Sequence, residues 1–226
     1  FGSAGMELVN GTLDLNGKQI TSGYQQDSTT KHIYPFDVYG TFTIEDTVGN
    51  GSITGRGIFV QDGSKLTIES GAVYAIDSNG GSVLFQYGGD IVINGGHIEQ
   101  KAEGTYNFAI NGLGGTVTVN NGWVGGNHGA IAAGGAAVVI NGGTLVCTGT
   151  PGMTDNVLYS YDTGSITING GTFIGDSDTA AGGCCVYDAN GGATINGGTF
   201  GNTSGGDVWG TTGTTIKGGT FSDLIE

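Results

Sequence analysis

Few residues in this 226-residue chain are of a type and spacing that could do chemistry. A glycoside hydrolase needs two carboxyl groups at a defined separation, one of them kept protonated by its surroundings. The nearest pair is Asp176 and Asp178 in Gly175-Asp176-Ser177-Asp178, with nothing apolar beside it, so it reads as solvated loop acids. A lyase acting on uronates needs a base next to the substrate carboxylate, cations to neutralise it and often acidic calcium ligands. Lys18, Lys31, Lys65, Lys101, Lys217 and Arg56 are dispersed along the chain, and no calcium motif accompanies them. His32, His97 and His128 share no spacing, which argues against a metal site, so no cofactor is expected and calcium has no motif to support it. Cys147, Cys184 and Cys185 lack ligand spacing and read as small buried hydrophobes, with a bridge from Cys147 to Cys184 or Cys185 left open.

The aromatic residues are better candidates. Tyr87, Tyr159, Tyr161, Tyr187 and Trp209 recur near the end of one strand in successive repeats, and alternation along a strand exposes some of them. Flat rings beside acidic and amide groups suit sugars, which offer C–H surfaces and hydroxyls together. These five are therefore the expected ligand-binding residues, with no catalytic residue among them.

The elements that must position these side chains follow from an internal repeat. Ile93-Asn94-Gly95-Gly96 returns as Ile140-Asn141-Gly142-Gly143, Ile168-Asn169-Gly170-Gly171 and Ile195-Asn196-Gly197-Gly198, with variants at Val119-Asn120-Asn121-Gly122 and Ile216-Lys217-Gly218-Gly219. Fainter copies lie upstream, and the positions Asn16, Glu45, Glu69, Asn94, Asn120, Asn141, Asn169, Asn196 and Lys217 recur about every 25 residues. Within a unit the apolar period is two. Ser165-Ile166-Thr167-Ile168 alternates, Asn-Gly-Gly turns the chain, Thr172-Phe173 opens a second strand, and a third follows a variable loop, as in Val157-Leu158-Tyr159. With 49 glycines and only two prolines, helices have almost no room.

Three short strands per unit, stacked on their counterparts, predict an all-β fold, a right-handed parallel β-helix of about nine turns. The inward positions are expected at Ile91, Ile93, Val117, Val119, Val138, Ile140, Ile166, Ile168, Ile195 and Ile216 on the first strand. On the second they are Ile98, Val124, Leu145, Phe173, Phe200 and Phe221. The asparagine column is expected to hydrogen-bond to itself and to the turn backbone. The outward column His97, Trp123, Thr144, Thr172, Thr199 and Thr220, with a parallel row at Thr118, Thr167, Thr194 and Thr215, raises the idea of an ice-binding face. However, His97 and Trp123 interrupt one row, Val92 and Val139 the other, Asn-Gly-Gly corners separate the two, and threonine favours strands for steric reasons alone.

Leu13-Asp14-Leu15-Asn16-Gly17-Lys18, Phe42-Thr43-Ile44-Glu45 with Gly51-Ser52-Ile53-Thr54-Gly55, and the Ile-Asn-Gly-Gly-Thr-Phe copies resemble the glycine-rich, pectate-lyase-like β-helix repeats of large surface or secreted proteins from gut Firmicutes. The resemblance runs from about residue 7 to 226. It implies an extracellular, cell-associated module, adhesin-like or glycan-contacting, or a spacer, with a glycan or host surface protein as partner. Residues 1–6 read as an artificial junction, and 7–226 as one β-helix domain.

Six Lys and Arg against twenty Asp and Glu give a net charge of −14, which opposes binding to nucleic acid and to anionic membrane surfaces. No apolar run approaches the ~20 residues that span a bilayer. Two alternatives to a non-enzymatic module remain at this level: a polysaccharide lyase or glycoside hydrolase of the same fold, and a segment of a viral tail-spike or fibre. Open rod ends allow association through strand edges.

Overall fold

The computed structural model describes residues 6–22, 36–76, 81–102, 107–149, 155–175, 183–202, 206–223 and 225. Among them there is no helix, hence none long and apolar enough to cross a membrane. Each winding of about 25 residues contributes one strand to each of three sheets, and each sheet holds nine parallel strands stacked in chain order. We name the sheets in the order the chain visits them. In the seventh winding these are Leu158–Ser160 in sheet A, Ser165–Ile168 in sheet B and Thr172–Gly175 in sheet C. The molecule is a parallel β-helix. The sheet A strand of the seventh winding starts one residue later than the alternation suggested, because Val157 lies in the approach to the strand and is nevertheless buried.

The stacking is in register. Ile140 pairs with Ile168 and Ile168 with Ile195, and Leu145, Phe173, Phe200 and Phe221 form the matching file in sheet C. Three of the phenyl rings stack at 4.6 and 4.8 Å between centroids, nearly parallel. Of the sixteen expected inward residues, fourteen are buried. Ile216 is 38% exposed and Phe221 half-buried, because their strands have a neighbour on one side only. No winding could bury these side chains by itself. The next winding supplies both the ladder hydrogen bonds and the apolar cover.

The Asn-Gly-Gly corner between sheets B and C shows why that tripeptide repeats. Asn94 donates to Glu69 (2.9 Å), Asn120 to Asn94 (2.7 Å), Asn141 to Asn120 (2.8 Å), Asn169 to Asn141 (2.8 Å) and Asn196 to Asn169 (2.9 Å). Every amide donates toward the N-terminal end, where the acceptor-only carboxylate of Glu69 receives it. Lys217, a donor-only residue, occupies the next place at the opposite end. The two glycines do different things. At the first, a Cβ on Gly170 would sit 2.9 Å from the carbonyl oxygen of Asn141 in the winding below. The second, as at Gly171 with φ 105°, turns the chain through a region closed to most side chains.

One expectation about this column is corrected. The residue equivalent to Glu45 in the first winding is Asp14, not Asn16. Asn16 and Gly17 instead form the turn, at φ 48° and 69°, and Asp14 accepts the backbone N–H of Asn16 (2.9 Å).

Two carboxylates staple corners in ways no repeat announces. Asp46 accepts backbone N–H groups of Gly17 (2.7 Å) and Gly51 (2.6 Å). Asp188, buried, takes the hydroxyls of Ser160 (2.5 Å) one winding below and Thr214 (2.5 Å) one winding above, with the N–H of Ala193 (2.9 Å). Burial pushes the Asp188 carboxyl up, but those donors outweigh it and hold it below the ordinary aspartate range. The three cysteines are buried thiols, and no disulfide joins Cys147 to Cys184 or Cys185.

Candidate aromatic surfaces

Sheet A sends the middle residue of each three-residue strand outward. The file reads Glu7, Asp37, Phe59, Phe85, Asn111, Ala132, Tyr159, Tyr187, Trp209. Three of the five expected residues, Tyr159, Tyr187 and Trp209, are thus vertical neighbours. Tyr187 and Trp209 stack at 4.5 Å and 6°, and Tyr159 tilts against Tyr187 at 5.3 Å. Tyr161, at the corner after the strand, stacks on Tyr159 at 5.0 Å, and Gly134 leaves the space that its ring fills. Phe108 extends the patch at 6.2 Å from Tyr159. Tyr87 is not part of it. That residue lies in a lower group with Phe85 (6.1 Å) and, behind it, Phe59, separated from the Tyr159 group by the short side chains Asn111 and Ala132.

Stacking along the rod means that Tyr187 and Trp209 each cover one face of the other's ring. Trp209 remains 36% exposed and Tyr87 64%. Burial raises the pKa of the Tyr159 and Tyr161 hydroxyls, and the Asp162 carboxylate nearby raises both further. The patch therefore combines rings, phenolic donors and one acid.

Among the described residues, the lysines and the arginine weighed for a lyase lie in different windings. Asp176, Asp178, Lys31 and His32 lie outside the described residues. Arg56 is buried between Ser52–Gly55 and Ile58–Val60, Lys65 begins a sheet B strand, and Lys217 sits at the asparagine corner. Among the described residues no three His, Cys, Asp or Glu side chains come together in a way that could hold a metal ion. His128 lies 2.5 Å from Asp155, whose side chain is wholly buried, and against the edge of Phe108.

A second aromatic group lies on sheet C, where the sequence aligned His97 and Trp123 in one outward column without showing that their rings stack. His97 and Trp123 are register partners whose rings stack at 4.2 Å and 1°. His97 Nε2 lies 2.9 Å from Glu99, Glu99 lies 3.4 Å from Lys101, and the Lys101 ammonium sits 3.6 Å above the Tyr74 ring. The available signal was the alternation itself, since His97, Glu99 and Lys101 are spaced two apart along one outward row.

No known protein family, no curated protein and no solved structure shows significant similarity to this chain.

Proposed function

We propose that this protein is an extracellular, non-enzymatic β-helix module of the pectate-lyase-like kind found in bacterial surface or secreted proteins, and that sheet A contacts glycans. The carrying observation is the contiguous patch of Tyr159, Tyr161, Tyr187 and Trp209, with Asp162 beside two of the hydroxyls. Aromatic rings, phenolic donors and a carboxylate acceptor together match the alternating C–H and hydroxyl surface of a saccharide. A local negative charge on a chain of net charge −14 disfavours uronates and other acidic sugars.

A glycan array tests this reading. Specific signals are expected, weakened at least tenfold in Trp209→Ala and Tyr187→Ala under conditions where both variants keep their melting temperature within a few degrees. A blank array would leave a spacer. Equal losses of stability and of binding would make the rings structural.

A further inference from the structure

Beyond the Trp123 strand, sheet C carries an uncharged surface headed by an indole ring. Its outward positions continue from Trp123 as Thr144, Thr172, Thr199 and Thr220, and the neighbouring row continues from Gly125 as Val146, Ile174 and Gly201. The chain has 26 charged residues, yet none falls in either row over these five windings. One row is hydroxylic and the other aliphatic, and Ile174 stands 43% exposed within it.

Trp123 forms the riser of this terrace. One face of the indole is covered by His97, which Glu99 holds in turn, so the ring is braced from behind. It reaches along the strand over Gly125, where a Cβ would fall 2.9 Å from Trp123 Cη2. On its other side the next outward residue is Thr144, too short to span an indole face. The ring is thus fixed in position before any ligand arrives, which lowers the ordering cost of binding.

Size and charge select the occupant. Four strands of four residues and a fifth of two, ~4.8 Å apart, give a face of roughly 300 Å². A second copy needs about 800 Å² per partner for a stable interface, so a dimer is too large a claim for this area. A charged partner finds no counter-charge. We propose that this terrace binds a neutral polysaccharide lying along the rod, with the C–H face of one sugar on Trp123 and its neighbours' hydroxyls on Thr144, Thr172 and Thr199. Val146 and Ile174 form the apolar floor. The site is independent of sheet A.

Affinity electrophoresis of the whole chain tests it, with soluble β-glucan, galactomannan and dextran as neutral probes and polygalacturonate as the acidic comparison. At least one neutral polymer should retard the protein. Ile174→Lys, an exposed change that leaves the core intact, and Trp123→Ala should each weaken that retardation at least tenfold, while Trp209→Ala leaves it unchanged. Retardation lost in Trp209→Ala but kept in Ile174→Lys would support the sheet A reading and overturn this one. No retardation by any neutral polymer, or equal retardation by polygalacturonate, would also overturn it. So would a dimer in sedimentation equilibrium that Ile174→Lys dissociates, because the face would then belong to a second copy.

Discussion

Ile168 is fully buried between Ile140 below and Ile195 above, and its backbone is hydrogen-bonded into the windings on both sides. Replacing it with alanine removes three carbons, worth about 2.5 kcal/mol of transfer free energy at ~0.8 kcal/mol each. The two ladders keep the neighbouring strands from closing in, so a residual cavity of ~50 Å³ adds about 1.2 kcal/mol at ~24 cal/mol per Å³. Ile168→Ala should therefore cost about 3.5 kcal/mol. Thr167, next in sequence but outward and half-buried, should cost less than about 1 kcal/mol when changed to alanine. Equilibrium urea unfolding followed by far-UV circular dichroism and tryptophan fluorescence measures both, provided the two probes give coincident transitions. If Ile168→Ala cost no more than Thr167→Ala, the inward file would not exist as described.

Asn169→Asp should destabilise more than Asn169→Ala, by about 1 kcal/mol, since a carboxylate can accept from Asn196 but opposes the Asn141 oxygen below; urea midpoints at neutral pH decide. Burial and the neighbouring Glu7 charge raise the Asp37 pKa, so its ionised form costs stability above the folded-state value and that cost disappears as the group protonates. Asp37→Asn should accordingly raise the urea midpoint at pH 7 and have no effect at acidic pH where both side chains are neutral. Burial, with the Asp207 charge, pushes the Cys185 thiol up to about 12, and Cys147 and Cys184 are buried too. Iodoacetamide at pH 8 should leave the native protein unlabelled by mass spectrometry and add three groups after denaturation.

The windings were legible because their signals are local and repeated. Period-two alternation fixed the inward rows, and Asn-Gly-Gly marked the corner where a carbonyl approaches from below and φ turns positive. What escaped was set by partners far apart in sequence. Asp188 is held by Ser160 and Thr214 from two other windings. Asp14 replaces Asn16 in the corner column because an asparagine and a glycine take the turn in the first winding. The outward threonine row is longer than the sequence suggested, since register adds Thr12, Thr43 and Thr67 to it. For the aromatic residues, alternation located Tyr159, Tyr187 and Trp209 on one face. Whether rings show faces or edges depends on stacking distances that spacing does not encode.

Cross-linking tests the stacking itself. Val139 and Thr167 are outward register partners on adjacent sheet B strands, whereas Val139 and Thr194 are two windings apart. Neighbouring strands lie ~4.8 Å apart, within the Cα separation that a disulfide spans, and two windings give ~9.6 Å, beyond it. Under mild oxidation, Val139→Cys with Thr167→Cys should lose two hydrogens by intact mass, and Val139→Cys with Thr194→Cys should not. The reverse pattern, or bridging of neither pair, would contradict the in-register coil.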